Sequence, residues 1–400
     1  MCSVRKLRKS DRIGLKQIRK EKQGYNRMGT ITVNVNPKTL IWAREELGFH
    51  LDDVASKIKK DIDTIQDWEA HGKNLRYTDL VKLSKLYKRQ VPVFFLNNTP
   101  AKTAKPKDFR NLSVKSRGLS PDAMLAIRRT KRYLDLYREH TPANQLTEQY
   151  KWVQTIKDYR HNGLEQALRD LLDVPISEQK KAKNKTLKFW RNRIEERLGV
   201  FVFQFPVDSH EFDGFSYIAD GVPFGITLNS RVAEKRKIFT IFHEIGHIIE
   251  GTAGICITST SQQTRQIEAR CNKFAATFLM PREEVAAPSS FEELQQHADE
   301  LGVSKEAYLI RAYDLKLVKD GDFNKYMTTI QKMNKKIAEE QRRKNKDKDG
   351  FVPRDVVSKS YRGDKFFDFV LEAYDANRIS PAVVRDVLDL KLVGLGRFDR

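Results

Sequence analysis

One five-residue stretch constrains this chain more than any other, and its sequence is His243-Glu244-Ile245-Gly246-His247. Residues four apart lie on the same face of an α-helix, so His243 and His247 can direct their imidazoles at one metal ion. Glu244 follows His243 by about a third of a helical turn, where its carboxylate can activate a water molecule instead of binding the metal. The stretch therefore predicts a helix that carries two ligands of a catalytic zinc ion and a general base.

The neighbouring residues predict where this helix ends and how it packs. Apolar residues precede and follow the histidines, and Gly251 is a typical stop. Gly246 costs about 1 kcal/mol of helix propensity relative to alanine, and a core helix without a site gains nothing from that cost. Because glycine has no side chain, it lets another backbone or a substrate come close. The alternative interpretation has no metal: two partly buried histidines that form hydrogen bonds within the protein.

A catalytic zinc site keeps three protein ligands, so the chain must supply one more. Glu268 is the candidate, because it opens a predicted helix that ends at Pro281. Asn272 lies one turn further along the same side and can hold a ligand in place. Cys271 is a rival ligand, but the helix turns it away from the Glu268 side, which favours apolar packing. The alternative for Glu268 itself is a solvent-facing acid near a helix start.

These residues together resemble the ImmA/IrrE family of metallopeptidases, over about residues 185 to 320. The resemblance lies in residues 239–247, 268–272, 274–276 and 279–281, and in the preceding stretches 199–204, 214–216 and 223–229. It implies a soluble zinc-dependent endopeptidase whose relatives cleave helix-turn-helix repressors. It also implies that His243, His247 and Glu268 are the metal ligands and that Glu244 is the catalytic base. Phe242 departs from the family pattern, in which leucine or a smaller residue is commoner, and this bears on pocket shape.

The predicted fold class is multidomain and mainly α, with an α+β zincin-like peptidase domain that carries a small three-stranded sheet. Its strands are predicted at about 200–207, 214–219 and 223–229, before the metal helix. A peptidase of this kind usually adds a donor that stabilises the oxyanion formed during the reaction. Four residues are candidates between which the sequence does not choose: Tyr217, His297, Tyr308 and Tyr313.

Residues 36–97 have the pattern of several short helices with tight joints, which is typical of a helix-turn-helix domain. Trp68-Glu69 followed by a loop resembles the Xre/Cro family of DNA-binding domains. Phe94-Phe95-Leu96 resembles the segment that comes after such domains when they are fused to this kind of peptidase.

The third helix of this domain is the one that would read DNA. Its predicted exposed positions are Ile62, Asp63, Gln66 and Asp67. Two of them are acids, whereas a helix in the major groove normally presents Arg, Lys, Asn or Gln. Five basic residues border this face and can offset the acids: Lys57, Lys59, Lys60, Lys73 and Arg76. The alternative use of this helix is protein contact or dimerisation.

The formal net charge of +21 points to an anionic partner such as DNA. Part of this charge is local: residues 1–30 hold ten Lys/Arg and two acids, and a second basic stretch runs from 332 to 348. Solvent-facing charge is the commoner explanation of such runs. Translation that starts at Met28 would remove most of the first one. Three scattered cysteines, no apolar run of membrane-spanning length and no apolar signal core predict a cytoplasmic protein that does not enter a membrane.

These patterns divide the chain into six segments. They are a basic N-terminal extension (1–30), a helix-turn-helix domain (31–98), a linker and helical spacer (99–182), a zinc peptidase domain (183–320), a basic linker (321–350) and a C-terminal helical cap (351–400). The leading hypothesis is a zinc (Zn2+) endopeptidase, coupled to the helix-turn-helix domain, that cleaves a transcriptional repressor and so switches on gene expression. The alternative is a DNA-binding regulator, or an antitoxin whose peptidase fold binds a toxin partner or senses metal.

Overall fold

The computed structural model describes residues 31–100, 119–159, 163–182, 186–208, 211–218, 223–252, 254–255, 262–344 and 353–390. The chain divides into two compact units, Met1–Thr103 and Ala104–Arg400. The predicted extension 1–30, Cys2, Cys256 and the end of the basic linker, 345–350, lie outside the described residues. No helix of the described residues is long and apolar enough to cross a membrane.

The described part of the first unit contains four helices and a two-stranded ribbon. Their bounds are β1 Thr32–Val33, α1 Pro37–Glu45, α2 Leu51–Ile58, α3 Ile62–His71, β2 Leu75–Arg76 and α4 Tyr77–Tyr87, with a 3₁₀ helix at Val91–Phe95. Asn36 caps α1 by accepting a hydrogen bond from the amide of Lys38, and α3 ends at Gly72 in the left-handed region. Leu40, Val54 and Phe94 are fully buried, so the helices share one core.

The helix α3 exposes the residues that its sequence pattern predicts. Ile62, Asp63, Gln66 and Asp67 are all exposed, whereas Ile65 and Trp68 face the core. Of the five bordering bases, Lys57, Lys59, Lys73 and Arg76 are exposed and Lys60 is half-buried. The Lys60 Nζ lies 3.3 Å from a carboxylate oxygen of Asp79, which is buried.

In the second unit, a four-stranded mixed sheet forms the centre. Its strands are β3 Phe201–Phe205, β4 Gly214–Tyr217, β5 Gly225–Asn229 and β6 Gly254–Ile255, in the order β3-β5-β4-β6. β3 and β5 are parallel, and the remaining neighbours are antiparallel. The three predicted strands are present. The two-residue β6 was not predicted, because a strand this short has no alternation that sequence analysis could detect.

Helices cover the sheet on both faces. Those before the sheet in the chain are α5 Pro121–Glu139, α6 Ala143–Gln149, α7 Trp152–Lys157, α8 Leu164–Leu172, α9 Ile176–Lys181 and α10 Thr186–Arg197. Those after β5 are α11 Glu234–Glu250, α12 Gln262–Leu279, α13 Phe291–Glu300, α14 Lys305–Asp314, α15 Asp320–Lys344, α16 Arg354–Arg362, α17 Asp364–Asp375 and α18 Pro381–Leu388. A short 3₁₀ helix, Arg282–Glu284, follows α12.

The helix α5 packs directly on one face of the sheet. The hydroxyls of Thr130 on α5 and Thr227 on β5 are 2.6 Å apart and buried, and the Tyr133 ring meets the Phe203 ring edge-on at 5.4 Å. This helix lies in the segment for which the sequence indicated only a spacer. It is part of the body that supports the sheet.

The opposite face of the sheet carries α11, backed by α10 and α12. Trp190 of α10 is fully buried, and its ring meets those of Phe242 on α11 and Phe278 on α12 at 4.8 and 5.6 Å. The Phe242 and Phe278 rings stack at 4.3 Å. The bulky Phe242, which departs from the family pattern, therefore fills this aromatic core.

The C-terminal helices pack against the strand β3. The Arg191 Nη1 and the Gln204 Nε2 both donate to the carbonyl of Ser360, at 2.7 and 3.0 Å. Gly363 has a φ of +86°, and a Cβ there would lie 2.3 Å from Oε1 of the buried Glu195. These contacts cover the outer edge of the sheet on the β3 side.

Candidate metal centre

The helix α11 positions the first three residues of the candidate site. Its apolar residues recur at helical spacing, and Ile238, Ile241, Ile245 and Ile248 are each at most 2% exposed. The helix ends at Gly251, which adopts a φ of +69°, as its sequence position predicts. The residues of the motif are thus held on a helix that is buried over nearly its whole length.

Two glycines allow neighbouring elements to approach α11 closely. A Cβ on Gly246 would lie 3.3 Å from the backbone and the side chain of Cys271, so α12 lies directly against the motif. A Cβ on Gly214 of β4 would lie 2.6 Å from the side chain of Thr240. The close neighbour that Gly246 predicts is therefore another backbone, that of α12.

Three side chains converge between α11 and α12. The Nε2 atoms of His243 and His247 are 3.1 Å apart. The carboxylate of Glu268 lies 3.2 Å from the first and 3.4 Å from the second. One potential ligand atom from each residue lies within 4.8 Å of the other two, so the group could hold a metal ion. The side chain of Glu268 is 25% exposed, whereas both histidines are buried, so the cluster opens to solvent on the Glu268 side.

Each imidazole is held at its other ring nitrogen. The His243 Nδ1 lies 2.9 Å from the Asn272 Oδ1, and the His247 Nδ1 lies 3.0 Å from the Thr252 Oγ1. An amide oxygen only accepts hydrogen bonds, so the His243 Nδ1 carries the hydrogen. In a neutral imidazole the Nε2 then presents a lone pair. Asn272 thus holds His243, as its spacing from Glu268 predicts.

The charges within the cluster reinforce one another. Burial alone would raise the pKa of the Glu268 carboxyl, but hydrogen bonds and charge from the two imidazoles lower it to about 2. Burial would lower the pKa of His247, but the groups around it raise that pKa to about 11. Those groups are Cys271, Glu268 and Glu244. Without a cation the cluster therefore retains a proton on His247, between the other imidazole and the carboxylate.

The donor set fits a divalent cation. Two imidazole nitrogens and one carboxylate oxygen are ligands that zinc commonly takes. If both Nε2 atoms present lone pairs only 3.1 Å apart, they repel each other unless a proton or a cation lies between them. The cluster therefore has the composition of a site for a divalent metal ion.

Glu244 is fully buried beside this cluster and is not one of its three members. Its negative charge contributes to the raised pKa of His247, so the carboxylate lies close enough for its field to act on the site. This is the position expected of an acid that acts beside a metal rather than on it.

Two neighbours of His247 were not assigned to the site by sequence analysis. Cys271 was interpreted as apolar packing; it is 1% exposed and packs on Gly246, but its thiol also forms a hydrogen bond with the His247 side chain. That interpretation was therefore incomplete. Sequence analysis missed Thr252. The sequence signal that could have found it is its position directly after Gly251, because a left-handed glycine at the end of a helix turns the next residue back over the last helical turn.

The four candidate oxyanion donors lie away from the cluster or have other partners. The Tyr308 hydroxyl bonds to the backbone of Ala286 and to His297, and the Tyr313 hydroxyl donates to Asp320. Tyr217 is paired with Gly225 across β4 and β5, and paired residues point to the same face of a sheet. A Cβ on Gly225 would contact Leu134 of α5, so Tyr217 points to the α5 face, opposite α11. None of the four contacts the cluster within the described part of the chain.

A comparison with protein-family models matches residues 195–313 to a peptidase family, described as the IrrE N-terminal-like domain, Peptidase_M78. This match supports the resemblance to ImmA/IrrE peptidases and indicates an enzyme of the metallopeptidase type. It does not extend to residues 31–98, so the helix-turn-helix resemblance stays a prediction. A search of curated proteins finds no match to the chain.

Proposed function

We propose that the second unit is a zinc-dependent endopeptidase, and that it cleaves a helix-turn-helix repressor in the cytoplasm and so switches on gene expression. The observation that carries the proposal is the convergence of the His243, His247 and Glu268 ligand atoms with Glu244 buried beside them. The family match over residues 195–313 supports the peptidase class. The repressor as substrate rests on the resemblance alone.

In this proposal His243, His247 and Glu268 hold the zinc ion. Zinc, when bound, supplies Lewis-acid chemistry that acidifies water and polarises the scissile carbonyl. The protein contributes ligands whose directions are already fixed, because Asn272 and Thr252 hold the two imidazoles. Ligands that are held in this way need little rearrangement on binding.

Glu244 is the proposed general base. Its carboxylate accepts a proton from the attacking water as the water oxygen bonds to the carbonyl carbon. The same carboxyl then donates that proton to the leaving amine nitrogen as the C–N bond breaks. Because the side chain is fully buried, bulk water does not compete for this proton.

A second proposed function, from another class, is a DNA-binding regulator or an antitoxin of a toxin partner. It rests on the first unit, in which the helices α2 and α3 are joined by three residues and α3 is largely exposed. Against DNA reading stand Asp63 and Asp67 on the exposed face and the inward pairing of Lys60 with Asp79. The enzyme therefore comes first, because the three proposed ligands and the proposed base lie together in the second unit.

The test compares the wild type with Glu244→Gln on purified helix-turn-helix repressors from the same organism. New N-termini, read by mass spectrometry, report cleavage, and metal analysis reports zinc content. Glu244→Gln should retain zinc and cleave at less than about a hundredth of the wild-type rate, since general-base catalysis contributes that much. Glu250→Gln is the matched control, because Glu250 lies on the same helix and pairs with Arg270. Near-normal cleavage by Glu244→Gln would remove the enzyme assignment.

A further inference from the structure

We infer that Thr252 is a positioning residue that fixes His247 for metal binding, an inference that rests on the proposed function because it concerns the same site. The Thr252 Oγ1 lies 3.0 Å from the His247 Nδ1, on the opposite side of the ring from Glu268. The imidazole is therefore held between the hydroxyl and the cluster.

The end of the helix α11 places this hydroxyl. Gly251 is left-handed, and its amide bonds to the carbonyl of Ile248 at 3.2 Å. The amide of Thr252 bonds to the carbonyl of His247 at 2.9 Å. These two bonds form a turn that folds the chain back over the last helical turn. Thr252 is thus tied to the residue it holds by its backbone as well as by its side chain.

The two contacts of Thr252 have separate tasks. The amide satisfies a carbonyl at the helix end, a task that any residue except proline can perform. Among the described residues, the hydroxyl contacts the ring nitrogen of His247. Valine keeps the amide and nearly the shape of threonine, so Thr252→Val removes the ring contact and leaves the helix end intact.

Thr252 completes a pair of matching restraints. His243 is held by Asn272 from α12, and His247 is held by the turn after α11. When both Nδ1 atoms are donors, both Nε2 atoms can present lone pairs to one cation. Without the hydroxyl, the His247 ring loses its restraint at Nδ1, and its Nε2 is less firmly directed at a cation.

Cys271 also forms a hydrogen bond with the His247 side chain. A thiol is a weak hydrogen-bond partner, whereas a hydroxyl is a good one. We therefore expect Thr252 to matter more to metal affinity than Cys271 does.

The experiment measures the Kd for Zn2+ by competition with a chelator, on the full chain and on Thr252→Val, Thr252→Ser, Cys271→Ala and Thr240→Val. Thr252→Val should weaken zinc binding about 10- to 100-fold, the usual cost of removing a partner that orients a ligand. Thr252→Ser should restore most of the affinity. Thr240→Val is the matched control, since the Thr240 hydroxyl lies on α11 and, among the described residues, donates to the carbonyl of Arg236.

A second readout separates positioning from a general loss of structure. Co2+ bound to the site has absorption bands that depend on ligand geometry, and Thr252→Val should change them while the melting temperature of the metal-free protein stays near that of the wild type. Unchanged zinc affinity in Thr252→Val, or a loss no larger than in Cys271→Ala, would overturn the inference. If Thr252→Val weakens zinc binding as expected but the wild-type protein cleaves no protein substrate, the inference about Thr252 stands and only the proposed peptidase function is overturned.

Discussion

The helices α11 and α3 differ in what surrounds the residues that mark them as functional. On α11, the motif residues are buried and meet complementary groups from α12 and from the turn after Gly251. On α3, the exposed residues include two acids, and Lys60 just before its start is drawn inward to Asp79. A metal site needs only a few ligands that converge, whereas DNA reading needs a favourable charge over a whole face. We therefore expect α11 to bind a metal ion and α3 to contribute little to the recognition of a DNA sequence.

The largest expected effect is the loss of the third ligand. Glu268→Ala should weaken zinc binding at least about 100-fold, because two imidazoles remain of a three-ligand site. Glu283→Ala is the control, since Glu283 is an exposed acid just beyond the end of α12. Zinc content after dialysis against chelator measures both. Equal zinc content in the two variants would show that the third ligand is a residue other than Glu268. The contrast between a complete metal site at α11 and an unfavourable DNA-reading face on α3 would then no longer hold.

The next effect is a dependence of zinc affinity on pH. The pKa of His247 in the metal-free site is raised to about 11, so at neutral pH the folded site carries a proton that zinc must displace. Affinity should therefore fall as the pH falls, by about tenfold per pH unit between pH 8 and 6. Glu268, with its pKa lowered to about 2, stays ionised over this range and adds no slope. Calorimetry in buffers of different ionisation enthalpy would count the released protons, and a count of zero would show that His247 is already neutral.

Sequence analysis predicted residues that share a helix face and, for Glu268, used the chemistry of the site. Helical periodicity pairs His243 with His247 and Glu268 with Asn272. Glu268 itself was predicted because a catalytic zinc needs a third ligand and because of the family resemblance. Thr252 contacts His247 through a turn that periodicity does not encode. Cys271 follows Glu268 by three residues, a spacing that does share a helix face, so its assignment to apolar packing alone overlooked its bond to His247.

The same limit applies to the fold. The three longer strands have patterns of their own, whereas β6 is too short to have one. The packing of α5 on the sheet depends on contacts such as that between Thr130 and Thr227, which are 97 residues apart in the chain. Contacts of that separation can be inferred from a single sequence only where a family pattern supplies them.

A smaller effect is expected from filling the space at Gly246. Gly246→Ala places a methyl group 3.3 Å from Cys271, so α12 must move away by a few tenths of an ångström. Glu268 and Asn272 move with it, and zinc affinity should fall about tenfold, since outer partners of metal ligands have effects of that size. Gly321→Ala is the matched control, because a Cβ there meets nothing within 4 Å. Both variants gain helix propensity, so an equal rise in melting temperature with unchanged zinc affinity would show that α12 tolerates the shift.

The smallest effect is expected on the other helix, at Gln66. Any binding of this +21 chain to a DNA duplex should be mainly electrostatic, so the affinity should fall steeply with salt and vary little with base sequence. A chain that starts at Met28 should show a shallower salt dependence, because all ten basic residues of segment 1–30 are then absent. Gln66→Ala should change the affinity by less than about twofold, whereas removing a side chain that reads a base costs at least about fivefold.

Asp63→Ala is a second test of the same helix. Since it removes an acid from the exposed face of α3, it should strengthen binding slightly if DNA passes near that face. Binding measured by fluorescence anisotropy over a salt series decides between these outcomes. Tight, sequence-specific binding that Gln66→Ala abolishes would make α3 a reader of DNA, and the regulator would then take precedence over the peptidase.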